Sequence, residues 1–340
     1  MATSEVSGAM NASFAQSCAE HVAALRRQVS DALADLVHGD EPAELYGSVR
    51  YVLSASGKRI RPVLLLLAAE TWGASLGRTL SAALAVEVFH SFTLVHDDIM
   101  DHAATRRGRP TVHVKWDVDT ALLCGDYLLG LSYDLLGRIE SPQLARITRS
   151  LSRTVARLCE GQSLDKGFEA RSDVTHEDYF NMIDRKTGAL LEASLETGGL
   201  IGGASDREIL ALRAAGTAIG RAYQVQDDLL DLVAGDPRWG KTIGGDLVEG
   251  KKTFLLLEAL RSARGEERDW FKRIVTEGGL AADLVGEARR RMESLGILET
   301  ARAAVLSHSA AAIQELRTLP RCRAAGCLEH IVLEMQAREH

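Results

Sequence analysis

The sequence predicts an all-α protein built as a single bundle of helices, and three observations carry that expectation. Only six prolines occur in 340 residues, aromatic residues make up 5%, and Ala, Leu, Arg and Glu are abundant, a composition that leans towards helix. Several central segments carry apolar residues on most faces at helical spacing, which suits burial inside a bundle. No β-type alternation persists anywhere, which excludes a nucleotide fold built on a parallel sheet.

Taken in order, residues 1–13 are small, polar and without periodicity, and are expected to be disordered; 14–340 are expected to form one helical domain. Helices are expected near 14–38 and 42–55, then at 61–71, where Gly57-Lys58-Arg59-Ile60-Arg61-Pro62 leads into the apolar run Val63 to Ala69. A helix over 78–101 ends in Asp97-Asp98-Ile-Met-Asp101, and helices follow at 118–138 and 142–168. The helix expected at 175–201 starts at Thr175 with Asp178 in a capping-box arrangement, and the one at 206–234 starts at Ser205 with Glu208. The latter carries Asp227-Asp228-Leu-Leu-Asp231, and the remaining helices are expected at 253–263, 279–294, 297–316 and 324–337.

Charge and motifs exclude several function classes. A net charge of −7 with no basic, aromatic-studded stripe argues against a general nucleic-acid binder. MATSEVSGAM has neither a charged n-region nor an apolar core, so no signal peptide is expected, and the run Val63 to Ala69 is too short to cross a bilayer. A soluble, cytoplasmic protein is expected. Cysteines 18, 124, 159, 322 and 327 are odd in number and contain no CxxC, so they read as thiols in a reducing compartment. Gly245 to Lys252 approaches a P-loop pattern but lacks the final Ser or Thr and a preceding strand. Gly198-Gly199-Leu-Ile-Gly202-Gly203 reads as a helix end and turn. No GxSxG or HExxH is present.

The two Asp-Asp-x-x-Asp copies carry the functional signal. Residues four apart on a helix share a face about 6 Å apart, so Asp97 pairs with Asp101 and Asp227 with Asp231. Two such carboxylate pairs facing each other need a cation between them, and an all-oxygen donor set suits magnesium. Basic clusters accompany them: Arg106-Arg107-Gly108-Arg109 after the first, Gly240-Lys241 and Gly250-Lys251-Lys252 after the second, and Lys58, Arg59 and Arg61 upstream. Acid alternating with base fits a phosphorylated ligand gripped through metal on one side and through Arg or Lys on the other.

GKRIRP, LVHDDIMD with RRGRPT, the segment LCEGQSLDKGFEARSDVT, Lys186-Thr187-Gly188, and YQVQDDLLDL with GK and GKKT follow one another from about Gly57 to Thr253. In order and spacing this series resembles the trans-polyprenyl diphosphate synthases, with the short-chain, geranylgeranyl-type members closest in pattern. The resemblance implies an isoprenoid-synthase-type helical bundle around a central cavity, a homodimer, and three magnesium ions per site. It implies transfer of an allylic chain (dimethylallyl, geranyl or farnesyl diphosphate) to isopentenyl diphosphate. Asp97, Asp101 and Asp227 would be the principal metal ligands, with Asp98, Asp228 and Asp231 contributing directly or through water. Arg106, Lys186, Lys241 and Lys251 would hold the allylic diphosphate. Lys58, Arg61, His90 and Arg107, with backbone near Gly57, would hold isopentenyl diphosphate. Thr187 and Gln224 would sit beside the nascent cation.

Phe89, Thr93, Asp97 and Asp101 share a helix face, and Phe92 lies one position round from it. In the resembled family an aromatic five residues before the first motif shortens the product and a small residue at four before relaxes that limit. Phe92 followed by Thr93 therefore implies a twenty-carbon product, with farnesyl and longer-chain synthases as alternatives. Core packing is the competing reading for both aromatics, Phe89 most of all. A class I terpene cyclase normally keeps only one Asp-rich motif, and a non-catalytic subunit of a heteromeric synthase tends to lose one; both are intact here. The chain ends Gln336-Ala-Arg338-Glu-His without the basic tail that some relatives fold over the site, which leaves the mode of closure open.

Overall fold

The computed structural model describes residues 2–233 and 243–336, with side chains from residue 13 onward. Among these residues the chain forms α1 (Ala2–Ala34), α2 (Ala43–Leu53), α3 (Ile60–Glu70), α4 (Leu76–Met100), β1 (Thr105–Arg106), β2 (Arg109–Pro110), α5 (Val112–Lys115) and α6 (Val118–Gly137). Next come α7 (Leu144–Glu169), α8 (His176–Ile183), a π-helical turn (Asp184–Gly188), α9 (Ala189–Gly202), α10 (Asp206–Val233) and α11 (Gly245–Val248). The chain continues through α12 (Phe254–Ser262), α13 (Gly265–Thr276), a 3₁₀ turn (Ala282–Leu284), α14 (Val285–Ser294), α15 (Ile297–Leu316) and α16 (Arg323–Gln336). The fold is all-α; the sheet consists of the two-residue hairpin β1–β2, with Thr105 opposite Pro110 and Arg106 opposite Arg109.

Several boundaries depart from expectation. Helix α1 begins at Ala2 rather than near residue 14. The expected helix over 175–201 is interrupted by the π turn at Asp184–Gly188, which no apolar period announces. Helix α13 was not expected, because GEERDWFKRIVT is polar over most of its length and buries only Phe271 and Ile274. Both capping boxes form: Thr175 Oγ1 accepts from the Asp178 amide at 3.1 Å, and the Ser205 amide donates to Glu208 at 2.7 Å.

The chain comprises two compact units, each built from discontinuous segments. The first comprises Met1–Leu151, Ala193–Leu212 and Arg317–His330. In it α4 packs along α6 and α3, with α2 on α6 and α1 against α3 and α4. The run Val63 to Ala69 is wholly buried, which is why α3 reads as apolar on all sides. Helix α4 has the length and mean hydropathy, 1.2, to cross a membrane, but 61% of that stretch is buried within the protein, as befits a core helix. One expectation is corrected here: Cys18 and Cys327, both fully buried, form a disulfide tying α1 to α16, with Cα atoms 5.2 Å apart. A pairing across 309 positions leaves no trace in local spacing. Cys124, Cys159 and Cys322 are free.

The second unit comprises Ser152–Glu192, Arg213–Leu316 and Ile331–His340. Its core gathers Phe168, Tyr179, Met182, Val225, Leu229, Phe254, Leu256, Phe271, Met292 and Ile297. Helix α12 lies at the centre, touching α8, α13 and α15.

Candidate active site

In the first unit the motif residues gather around the C-terminal end of α4. The Asp101 amide donates to the Asp97 carbonyl at 2.8 Å, so the helix persists through the motif and both carboxylates share a face. Asp97 is half-buried and Asp101 exposed, while Asp98 points inward and is 5% exposed. Arg106 Nε donates to Asp98 Oδ1 at 2.6 Å; burial raises the Asp98 pKa against the opposing pull of this arginine. Arg106 stands in β1, and the strands are joined by Arg107 (φ 52°) and Gly108 (φ 72°), a two-residue turn with both residues left-handed. That turn carries Arg107 to the loop ahead of α3. There its Nη1 donates to the Ser56 carbonyl at 2.7 Å, and a Cβ on Gly57 would sit 2.7 Å from the same nitrogen.

The same corner contains Arg61 and His90, whose Nη1 and Nε2 lie 3.2 Å apart. Burial, followed by the charges of Arg61, Arg107, Arg106 and Arg59, pulls the His90 pKa well below its usual value. The imidazole is therefore neutral at pH 7 and accepts from Arg61, holding that guanidinium in place. Lys58 is exposed beside them. Gly57, Arg61, His90 and Arg107 thus lie together in a cationic corner. Arg59, in the same GKRIRP stretch, is different: it is 6% exposed and its Nη1 donates to Glu87 at 2.6 Å.

Along α4, Phe89 is fully buried and its ring meets Phe92 edge-on at 5.5 Å; Phe92 in turn meets His96 at 4.9 Å. Thr93 is half-buried, and its hydroxyl donates to the His90 carbonyl at 2.8 Å.

In the second unit, α10 crosses the π turn so closely that a Cβ on Gly220 would lie 2.7 Å from Gly188 Cα; only glycine at that crossing permits the approach. One helical turn on, Gln224 Oε1 accepts from Thr187 Oγ1 at 3.1 Å. A π turn is wider than an α turn and often marks a functional position; here it carries Lys186 and Thr187. It is pinned by Arg221, which grips Asp184 at 2.8 and 2.6 Å, and by Arg157, which donates to the Asp184 carbonyl at 3.0 Å. Lys186 Nζ donates to Asp165 on α7 at 2.5 Å.

The second acidic motif is less exposed than the first. Asp227 is half-buried; Asp228 and Asp231 are 4% and 6% exposed. Asp228 Oδ2 accepts from Tyr179 Oη at 2.7 Å and from the Phe254 amide at 2.9 Å, and Oδ1 accepts from Gln224 Nε2 at 3.0 Å. Burial, then the charge of Asp246, pushes its pKa up to about 7. Asp231 Oδ2 accepts from the Asp246 amide at 3.1 Å. Lys251 lies 2.8 Å from Glu249 and 3.5 Å from Asp246. Lys241 lies outside the described residues.

Among the described residues no three His, Cys, Asp or Glu side chains are clustered closely enough to chelate an ion by themselves. The donor set is nonetheless carboxylate oxygen throughout, which fits magnesium, an ion that takes one or two carboxylates and completes its shell with water and substrate phosphate. Four residues escaped the sequence reading: Asp165, Tyr179, Glu87 and Gln162, the last a buried amide on α7 with no hydrogen-bond partner among the described residues. Gln162 and Asp165 were visible as a polar pair at spacing three inside LCEGQSLD; Tyr179 and Glu87 sit in apolar helix faces and carried no signal.

Residues 42–292 match the polyprenyl synthetase family. The chain is 38% identical over 314 residues to a geranylgeranyl diphosphate synthase of Methanosarcina mazei, covering 92% of this chain and 95% of that one. It is 37% identical to a geranylfarnesyl diphosphate synthase of Natronomonas pharaonis, over 91% and 94% of the two chains. Among solved structures, the geranylgeranyl pyrophosphate synthetase of Pyrococcus horikoshii superposes with a TM-score of 0.87 at 35% identity, over 94% of this chain and 98% of that one. With both aspartate-rich motifs and their cationic neighbours inside the matched span, the chain belongs to the polyprenyl synthetase family.

Proposed function

We propose that this protein is a magnesium-dependent trans-prenyltransferase that joins an allylic diphosphate head-to-tail to isopentenyl diphosphate and releases geranylgeranyl diphosphate as its main product. The observation that carries this reading is that each unit holds an aspartate-rich helix end together with basic side chains: Arg106 bonded to Asp98, with Arg61 and Arg107 around neutral His90, in one, and Lys186 and Lys251 in the other. Relatives named for geranylgeranyl synthesis at 38% identity support the product, and the geranylfarnesyl relative marks the alternative of a longer chain. A related polyprenyl synthase structure from Caulobacter crescentus, 26% identical with a TM-score of 0.87, was determined with calcium and isoprenyl diphosphate; this supports a divalent-ion and diphosphate site here.

In this reading Asp97 and Asp101 of the first unit, and Asp227 of the second, would ligate magnesium. Asp98, Asp228 and Asp231 already accept hydrogen bonds from Arg106, from Tyr179 and Gln224, and from the Asp246 amide, and they support the ligands from behind or through water. Magnesium held there would supply Lewis acidity towards the leaving diphosphate, three ions per site being the number this reading expects. Arg106, Lys186, Lys241 and Lys251 hold that diphosphate, and Lys58, Arg61, His90, Arg107 and the Gly57 backbone hold isopentenyl diphosphate. Preorganised cations stabilise the anion that forms as the allylic carbon–oxygen bond breaks. Thr187 and Gln224 turn oxygen dipoles to the allyl cation, the alkene of isopentenyl diphosphate attacks it, and the released diphosphate takes the final proton. Phe92 and Thr93 limit chain length, with Phe89 behind them.

The same reading makes the protein a cytoplasmic homodimer. Helix α6 leaves Val118, Leu122 and Leu123 exposed, an apolar patch suited to a second copy. Asp97→Asn and Asp227→Asn test the metal assignment. Each removes ligation present in the transition state and is expected to cost about a hundredfold or more in turnover while the fold survives. Near-normal turnover of either purified variant at saturating magnesium would refute it.

A further inference from the structure

The hydrogen bonds around Asp228 have a fixed polarity. Asp228 Oδ2 is taken up by the Tyr179 hydroxyl and the Phe254 amide, and the group of Gln224 facing Oδ1 is its amide nitrogen, 3.0 Å away. That orientation turns Gln224 Oε1 towards Thr187, where it takes the hydroxyl proton at 3.1 Å. With its proton committed to Gln224, the Thr187 hydroxyl has only lone pairs left for whatever lies on its other side. The chain of donors begins with Tyr179, 2% exposed on α8, whose hydroxyl donates to Asp228 Oδ2 at 2.7 Å, and it is braced by the Phe254 amide at the start of α12.

We propose that Tyr179 is a positioning residue for prenyl transfer: through Asp228 it fixes the orientation of the Gln224 amide and, through that, presents oxygen lone pairs of Thr187 to the ionising allylic carbon. The proposal rests on the reading that Thr187 and Gln224 sit beside the cation. A proton aimed at the same carbon would oppose ionisation, so the direction of the Gln224 dipole decides whether this part of the site helps or hinders. Tyr179 supplies one of the two donors that hold Asp228 Oδ2, and without it the carboxylate can rotate and release Gln224 to turn over. Tyr179 touches no substrate in this scheme. Asp228 then serves as an anchor for Gln224, with both oxygens engaged by protein donors.

The test is a double-mutant cycle on steady-state turnover. Tyr179→Phe is expected to lower kcat about ten- to a hundredfold, as misorientation of a catalytic group does, while KM for both diphosphates and the half-saturating magnesium concentration stay within about twofold. In a Gln224→Ala background Tyr179→Phe should cause no further loss, because the group it orients is gone. A full additional loss in that background, or a loss expressed in KM or in magnesium dependence, would overturn the relay. If Gln224→Ala alone leaves kcat unchanged, the placement of Gln224 beside the cation is what fails. Should Tyr179→Phe not fold, Asp228→Asn reads the same relay. Its amide can present a donor to Gln224 and turn it over, so kcat should fall with both KM values unchanged, and an unchanged kcat would overturn the proposal.

Discussion

Replacing Arg59 separates the residues of GKRIRP that hold the fold from those assigned to substrate. The Arg59–Glu87 pair is almost dry, with side chains 5% and 3% exposed and Nη1 to Oε1 at 2.6 Å. Arg59 Nη2 also donates to the Ala55 carbonyl at 2.6 Å and lies 3.4 Å from that of Leu53, so it closes the C-terminal end of α2. Removing one partner of a buried pair leaves the other charge uncompensated, at a cost of about 3–5 kcal/mol. For a unit of this size each kcal/mol moves the melting temperature by about 2–4 °C, so Arg59→Met should lower Tm by roughly 6–20 °C. Converting the pair to apolar residues, Arg59→Met with Glu87→Leu, should recover most of that loss. Lys58→Ala, at an exposed position, should stay within about 0.5 kcal/mol of the parent. Thermal unfolding followed by circular dichroism, with denaturant titration for the free energies, reads all three. An unchanged Tm in Arg59→Met, or a loss in Lys58→Ala as large as that in Arg59→Met, would refute the reasoning.

The two diphosphate clamps should separate kinetically: Lys58→Ala or Arg61→Ala raises KM chiefly for isopentenyl diphosphate, and Lys186→Ala chiefly for the allylic substrate, by about tenfold or more each. Equal effects on both substrates from all three changes would argue against separate clamps. Chain length should respond at the residues five and four before the first motif, with Phe92→Ala giving longer products and Thr93→Phe shorter ones on chromatographic sizing. An unchanged distribution in both variants would move the limit to neighbouring helices.

The fold class and most helices were legible because their determinants are local. The run Val63 to Ala69 could only be buried, the capping boxes at Thr175 and Ser205 fixed two starts, and the motif helices carried their own periodicity. What was not legible depends on partners distant in sequence. The π turn at Asp184–Gly188 follows from how Arg221 and Arg157 grip Asp184, and the Cys18–Cys327 bond from the packing of α1 and α16. Likewise, the site's charged residues announced themselves through type and spacing. Their supports did not: Tyr179 is one aromatic on the buried face of α8, and Arg59 is set apart from its basic neighbours Lys58 and Arg61 by the way the chain turns it, at a left-handed φ of 46°.

The most direct test is to incubate the purified protein with isopentenyl diphosphate and, in turn, dimethylallyl, geranyl and farnesyl diphosphate, with magnesium present or chelated, and to size the prenyl products. Release of inorganic diphosphate, strict dependence on the metal and accumulation of a twenty-carbon product are expected. Failure to extend any of the three primers at saturating magnesium, by a folded protein, would contradict prenyl transfer outright, whereas efficient extension to a different length would leave the chemistry standing and refute the roles given to Phe92 and Thr93.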